Sequence, residues 1–475
     1  MLMLIHKLSI KHGTYMNVSQ LSSVIDQTRI KFRHLSLEVS VGQLNVNLLH
    51  LLPPTQQPRW RLLPIFFHHK NTDRYPPSLT FKSNEESMLP ATTKSSSNPG
   101  GVIKCKAAVA WGAGEAMVME DVEVSAPQPS EIRIKVVSTS LCRSDVTAWL
   151  SQAQPPLFPR IFGHEASGIV ESVGQEVTEF VEGDHVLTLF IGECMSCRQC
   201  ISGRSNICQR LGLERKGVMH SDQKTRFLLR GKPVYHYCAV SSFSEYTVVH
   251  SGCAVKISKA APLEKVCLLS CGTAAGLGAA WNVADVSKGS TVAIFGLGTV
   301  GLSVAQGAKI RGASRIIGVD TNPEKNEKAK AFGVTDFINP NDIDETVQQV
   351  IKRLTDGGVD YCFECIGDTE MINTALHSCC DGWGMTVTLG VPKTKPDITA
   401  HYGLFLTGRT LKGSLFGGWK PKSDLPSLID MYLKEEIKMD DLITHNLPFT
   451  DINKAFDLMV AGNCLRCVIH MPNEA

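Results

Sequence analysis

Four cysteines stand close together in residues 192–208, spaced Cys194-x-x-Cys197-x-x-Cys200-x7-Cys208. Four thiolates at this spacing can close a tetrahedron around Zn²⁺ with no open coordination position, which makes a structural rather than a reactive site. An iron–sulfur cluster is the chemical rival. Its bacterial ferredoxin form has a three-residue gap before the last cysteine and a proline after it; here the gap is seven residues and Gln209 follows. Structural zinc is the expectation, and such a site ties down a loop without doing chemistry.

A second set of candidate ligands is scattered. Cys142 lies in Leu141-Cys142-Arg143-Ser144-Asp145, His164 in Gly163-His164-Glu165, and Cys271 opens a Gly-rich stretch. Two cysteines and one histidine leave a fourth position for water or substrate, as catalytic zinc requires. Spacing alone says little for any of the three, because a single Cys or His is more often a core or surface residue than a ligand.

Val292 to Gly301 reads VAIFGLGTVG, so Gly296-x-Gly298-x-x-Gly301 follows an apolar strand and precedes a helix. In such a turn the glycines admit a tight bend, close approach of a pyrophosphate and packing of helix on sheet. Backbone amides at the helix start, around Thr299 and Val300, then face the phosphates. Asp320 closes the next strand nineteen residues after Gly301, where a carboxylate binds the adenosine ribose hydroxyls. It repels a ribose phosphate, so NAD is expected over NADP, and Lys325 is close enough to touch the ribose.

These groups need elements to hold them. The chain has 475 residues, 43% hydrophobic and 20% charged, which is long for one core and predicts two domains with a tail. A formal net charge of +2 argues against binding nucleic acid by bulk electrostatics. No run of about eighteen apolar residues predicts a membrane span. Sixteen cysteines, many of them single and in apolar surroundings (Cys238, Cys267, Cys362, Cys365, Cys379), fit a reducing compartment. The cytoplasm is the default expectation.

Residues 1–101 carry Pro-Pro pairs, scattered histidines and a Ser-rich stretch without sustained apolar period, so poor order is expected there. Translation starting at Met88 accounts for that region best; an organellar transit peptide is the alternative. From residue 102 short strands alternate with Gly turns, for example Cys105 to Ala110 and Glu131 to Val136, which predicts a β-rich, barrel-like domain. From about Leu277 strand–helix alternation takes over, with strands at Thr291 to Phe295, Arg315 to Val319, Tyr361 to Glu364 and Met385 to Leu389, which predicts a parallel sheet. Leu425, Leu428, Ile429, Tyr432 and Leu433 keep helical spacing.

The blocks CRSD, FGHE, the cysteine lobe, SCG and GLGTVG occur in the order found in zinc-dependent medium-chain alcohol dehydrogenases, which the chain resembles from Val102 to its C-terminus. FSEYTVVH, RIIGVD and TGRTLKGSLFGGWK resemble the plant alcohol dehydrogenase-like branch, close to the S-(hydroxymethyl)glutathione dehydrogenase class. The resemblance implies an α/β fold with a doubly wound Rossmann domain (277–414) inserted between two stretches (102–276 and 415–475) of a β-rich GroES-like catalytic domain. It implies catalytic zinc on Cys142, His164 and Cys271, with Glu165 behind the metal and Asp145 orienting His164. Two zinc ions per subunit, NAD and a homodimer are implied with it. A primary or secondary alcohol is expected to react as a zinc-bound alkoxide, giving an aldehyde or ketone as hydride passes to NAD. Ser144 takes the alcohol proton, Arg143 and Arg466 clamp the pyrophosphate, Phe190 lines the substrate channel, and Val391 joins the cofactor-binding set.

Two positions depart from the family pattern. Thr147 stands where many members have a histidine that passes the proton to solvent, and Ala275 replaces a threonine often placed against the nicotinamide. The S-(hydroxymethyl)glutathione dehydrogenase alternative is weakened because Gly212 occupies the position of that class's adduct-binding arginine, although Arg210 is close. A non-catalytic zinc- and dinucleotide-binding relative is a further alternative; against it, Cys142, His164, Cys271 and Asp320 are all retained. A nucleic-acid zinc finger is weaker still, since no basic base-reading helix follows the lobe.

Overall fold

In a computed structural model the described residues are 37–40, 43–46, 101–151, 157–213, 216–392 and 397–472. Met1–Ala91 and Thr92–Ala475 are separate compact units. In the first, Leu37–Ser40 and Gln43–Val46 pair as an antiparallel hairpin. These strands of four residues are too short to leave a periodic signature in the sequence. Met88 and the Ser-rich stretch lie outside the described residues.

Among the described residues the second unit holds three sheets. Ile103–Ala110 pairs antiparallel with Val118–Val124 from Ile103 to Val109, within a five-stranded sheet that also contains Arg160–Ile161. A seven-stranded sheet is organised around Glu131–Leu141, which pairs with Glu165–Val173, Tyr246–His250 and Arg466–His470. Glu131–Leu141 is buried on both faces, so the half-buried character expected from its alternating charges is overridden. Arg133 lies inside because its guanidinium pairs with Glu171 and donates to the Gly101 carbonyl at 2.6 Å. The two sheets share a core of Val109, Ile161, Phe162, Phe243 and Phe456. Residues near the C-terminus thus return to the β-rich part, with Arg466–His470 and Ile443–Pro448 adjacent in its sheet.

The third sheet is parallel, in the order Asp336–Ile338, Arg315–Val319, Thr291–Phe295, Tyr361–Glu364, Met385–Thr388, Thr410–Gly413. Its central strand is apolar and buried throughout after Thr291, as a strand covered by helices on both faces must be. Helix Thr299–Ile310 starts two residues ahead of Gly301, so that glycine lies inside the first turn and not before it. A Cβ there would sit 1.9 Å from the Gly296 carbonyl oxygen, which is why strand and helix can pass so closely. In helix Pro421–Leu433 the residues Leu425, Leu428 and Ile429 enter the core, while Leu433, in the last turn, is exposed.

The segment joining the two parts runs from helix Leu263–Val266 through helix Gly272–Gly278 into a wider turn at Ala279–Val283. Leu268, Leu277 and Ala280 share one core with Leu187 and Val255 of the seven-stranded sheet, with Val304 of the α/β part and with Leu425 of helix Pro421–Leu433. Among the described residues no single helix is long and apolar enough to cross a membrane.

Candidate metal centre and coenzyme cleft

Strand register brings the scattered ligands together. Ser140 pairs with Glu165 across Glu131–Leu141 and Glu165–Val173, so Cys142 and His164 emerge at the same end of adjacent strands. Cys271 is brought in by its own segment: Ser167 Oγ donates to the Leu263 carbonyl, and Ser270 Oγ donates to the Ala166 carbonyl at 3.3 Å. As a result Cys142, His164, Glu165 and Cys271 each place a ligand atom within 4.8 Å of the others.

One carboxylate fixes the geometry. Asp145 is fully buried; its Oδ2 accepts from the Cys142 amide at 3.0 Å, and its Oδ1 accepts from the Gly163 amide at 3.1 Å. The same Oδ1 lies 3.0 Å from His164 Nδ1. A carboxylate only accepts, so Nδ1 carries the proton and Nε2 is left free to bind. Ser144 Oγ is 3.3 Å from that Nε2. Burial presses the His164 imidazole down, but Asp145 and Cys142 together hold it well above its usual range.

The charges of the cluster are coupled. A hydrogen bond from Cys271 pulls the Cys142 thiol well below its ordinary range, burial opposing and the Arg466 charge assisting. Cys271 keeps the proton and lies well above. Burial pushes Glu165 up to about 7 against the pull of Arg466. Arg466 donates to Glu165 at 3.2 and 3.3 Å and to the Cys142 sulfur at 3.5 Å. The two sulfurs and the His164 Nε2, once a metal displaces their protons, offer three ligands to Zn²⁺ and leave a fourth position open, with Glu165 and the Arg466 guanidinium behind them.

The four lobe cysteines also bring their sulfurs within 4.8 Å of one another, and none is disulfide-bonded. Amides of Cys197, Gln209 and Leu211 donate to the sulfurs of Cys194, Cys197 and Cys208 at 3.3, 3.4 and 3.3 Å. The Cys200 amide, with that of Gln209, holds the Cys197 thiol down at about 6, the state a zinc ligand needs. Four sulfurs fit a closed zinc site.

The glycine turn is shaped for a phosphate. Nothing lies within 4 Å of a Cβ built on Gly298, which N-caps helix Thr299–Ile310. Asp320 accepts from the Leu297 amide at 2.8 Å and from the Asn322 amide at 3.0 Å. Lys325 Nζ pairs with it at 2.8 Å. Thr299 is engaged through Oγ1 with the Leu465 carbonyl at 3.1 Å, so its amide is what remains for a ligand. Val300 is half-buried beside it, and Val391 is exposed.

Arg143 and Arg466 are not equivalent. Arg143 is exposed and donates to the Met459 carbonyl at 3.1 Å, whereas Arg466 is buried between the metal cluster and the coenzyme helix. A Cβ on Gly272 would touch Arg466 at 2.2 Å and Thr299 at 3.5 Å. Phe190 stacks edge-on against His164, with centroids 5.6 Å apart. Thr147 and Ala275 are half-buried. Arg210 reaches Ser196 Oγ at 3.4 Å, and a Cβ on Gly212 would meet the Cys208 carbonyl oxygen at 2.8 Å. Sequence reasoning missed Tyr237, whose ring lies 5.7 Å from His164 and whose hydroxyl donates to the Ser144 carbonyl at 3.0 Å. It also missed Phe416, whose ring lies 5.4 Å from Phe190.

Comparison with known proteins agrees with this geometry. The family described as alcohol dehydrogenase GroES-like domain matches residues 128–259, and zinc-binding dehydrogenase matches residues 299–434. Alcohol dehydrogenase-like 6 of Arabidopsis thaliana is 74% identical over 371 residues, covering 78% of this chain and 97% of that protein. Alcohol dehydrogenase 1 of Petunia hybrida is 56% identical over 379 residues, covering 79% of this chain and 99% of that protein. The crystal structure of benzyl alcohol dehydrogenase from Acinetobacter calcoaceticus superimposes with a TM-score of 0.72 at 31% identity, over 78% of this chain and 100% of that one. With that likeness spanning both the cysteine–histidine cluster and the glycine turn, the chain belongs to the zinc-binding medium-chain alcohol dehydrogenase family.

Proposed function

We propose that the protein oxidises primary and secondary alcohols reversibly to aldehydes and ketones with NAD as hydride acceptor. The observation that carries this reading is the junction at Arg466: its guanidinium donates to Cys142 and Glu165 of the metal cluster and to the Leu465 carbonyl, which also accepts from Thr299 Oγ1 at the start of the coenzyme helix. Cys142, His164 and Cys271 would hold catalytic zinc, and the residues of the 296–301 turn with Asp320 would hold NAD. Bound zinc supplies a Lewis acid to the alcohol oxygen and bound NAD accepts the hydride.

The chain's own residues do the rest. Asp145 keeps His164 in the ligating tautomer. Ser144, beside that ligand, both donates and accepts and takes the alcohol proton. Thr147 lies one turn along the same helix Arg143–Trp149, and a hydroxyl or water there replaces a histidine in passing the proton out. Phe190 and Phe416 close one side of the substrate channel to water. Arg143 and Arg466 supply positive charge for the pyrophosphate, and exposed Val391 borders the cofactor.

Asp320 supports NAD over NADP, since two of its contacts are backbone amides that fix it at the ribose position. The second zinc belongs to Cys194, Cys197, Cys200 and Cys208. A homodimer is supported by the outermost parallel strand, Thr410–Gly413, which has one neighbour in the sheet, near exposed Tyr402 and Leu406. Open edges of this kind invite pairing with a second copy. Buried single cysteines such as Cys267, Cys362 and Cys379 support the cytoplasm as the compartment.

The test is a panel of alcohols of increasing chain length, with NADH formation and zinc content followed together. Turnover with about two zinc per chain agrees with the reading; no turnover of any alcohol in zinc-replete protein refutes it.

A further inference from the structure

We propose that the four-cysteine lobe is a positioning device for the wall of the alcohol channel, through a strained turn at residues 416–418. The proposal rests on reading the Cys142–His164–Cys271 cluster as the alcohol site.

That turn is unusual. Phe416, Gly417 and Gly418 have φ of +51, +61 and +71° in succession. Two glycines adopt the left-handed region freely, but a bulky aromatic residue does not. Such a conformation persists only where its surroundings over-determine it. Phe416 is 2% exposed, its ring edge-on to Phe190 at 5.4 Å, and Phe190 is edge-on to His164 at 5.6 Å. Two ring contacts therefore separate the turn from a metal-ligating side chain.

The turn is held from both sides. On the active-site side, Trp419 Nε1 donates to the Ala274 carbonyl at 2.8 Å and Asn282 Nδ2 to the Gly417 carbonyl at 3.2 Å. On the other side the lobe supplies three anchors, beside the contacts of Lys422 with Glu179 and the Ser251 carbonyl. Asn206, inside the seven-residue gap between Cys200 and Cys208, donates to the Leu415 carbonyl at 2.8 Å. Lys420 Nζ donates to the carbonyl of Cys200 itself. Glu193, the residue before Cys194 and 4% exposed, accepts from the amides of Lys422 and Ser423 at 3.0 and 2.9 Å and from Ser423 Oγ at 2.8 Å. A buried carboxylate thus caps helix Pro421–Leu433, which fixes where the turn ends. Closing the sulfur cage sets the positions of Glu193, Cys200 and Asn206 together, and through them Phe416.

The experiment uses the full chain with its zinc. Asn206→Asp keeps the shape but cannot donate to Leu415. Lys420→Met removes the second tie, and Lys420→Arg restores a donor. Either disruptive variant is expected to raise KM for alcohols by about threefold to tenfold, the range of one lost hydrogen bond, and to shift preference toward bulkier substrates. The change in kcat should be smaller, zinc content should match wild type, and amides 415–418 should exchange faster with solvent. Lys420→Arg should return all of these. Unchanged KM and length preference, or a loss confined to kcat, would overturn the proposal. Were the wild type to oxidise no alcohol, the activity assigned above would fail, while exchange alone decides the positioning claim. Unchanged exchange at 415–418 in both disruptive variants refutes it.

Discussion

Asp145 Oδ1 lies 3.0 Å from His164 Nδ1 while its other oxygen takes the amide of Cys142. One side chain therefore orients two candidate ligands at once. Asp145→Asn retains size but offers no charge, and its amide can face the imidazole as a donor. Zinc retention at the catalytic site should weaken by about 10- to 100-fold, the usual cost of losing a partner behind a ligand, and alcohol oxidation should fall with it. Dialysis against a chelator followed by metal analysis measures the first, NADH formation the second. Wild-type zinc retention in the variant would show that Asp145 does not control the ligand.

The two sulfur clusters should separate cleanly. Cys271→Ala is expected to abolish NAD reduction with melting temperature nearly unchanged, because Cys271 sits in an otherwise packed segment. Cys197→Ala is expected to lower the melting temperature by roughly 5 °C, since metal binding contributes directly to folding. Each variant should lose about one zinc per chain. A Cys271 variant that still turns over alcohol would refute the catalytic assignment.

How far the site was legible depends on whether its geometry is local. The strand from Thr291 to Phe295, the glycine turn and Asp320 lie within thirty consecutive residues, so spacing alone carries the cleft. The lobe cysteines are similarly local. Cys142, His164 and Cys271 are separated by 22 and 107 residues and meet only through the Ser140–Glu165 register and the Ser270 contact; no periodicity encodes that. Family resemblance named them, and physical spacing could not. Tyr237 and Phe416 carry no motif of their own, and their roles follow from ring packing that only the folded chain displays. Arg133, buried and paired to Glu171, shows the same limit: an alternating strand reads as half-exposed until its partner is known.

Coenzyme preference should rest on the charge of Asp320. Asp320→Gly also removes the acceptor for the Leu297 and Asn322 amides, so Asp320→Asn is the cleaner variant. Removing the carboxylate relieves repulsion of a ribose phosphate, and Lys325, freed from its 2.8 Å pair, becomes available to that phosphate. The ratio of kcat/KM for NAD over NADP should fall by roughly 10- to 100-fold. An unchanged ratio in both variants would mean that Asp320 does not read the ribose.

His236 should make the protein acid-sensitive. It is fully buried, its Nε2 accepts the Arg226 amide at 3.0 Å, and burial with the charges of Arg226 and Arg160 presses its pKa down to about 3. The unfolded chain takes up that proton near pH 6.5. Between about 3 and 6.5 the unfolded state binds more protons, so this contribution to stability is present above 6.5 and lost as pH falls. One proton corresponds to about 1.4 kcal/mol per pH unit. His236→Gln should flatten the dependence of stability on pH across that window. Parallel curves for variant and wild type between pH 4 and 6.5 would exclude the imidazole as the cause.

Gly298 and Gly301 make opposite predictions from the same turn. At Gly301 an added Cβ meets the Gly296 carbonyl oxygen at 1.9 Å, and backbone cannot swing aside as a side chain can. Gly301→Ala should therefore push the helix off its strand and cost about 1–3 kcal/mol. At Gly298 an added Cβ meets nothing, and the residue sits at φ −82°, open to any L-amino acid. Gly298→Ala should fold and melt like wild type. If the emptiness beside it is where the pyrophosphate lies, the same methyl group should weaken NADH binding about tenfold, the scale of one steric misfit at a phosphate turn. Thermal melting and NADH fluorescence titration on the two variants separate fold from function. A Gly298→Ala protein that binds NADH as wild type does would place the pyrophosphate elsewhere.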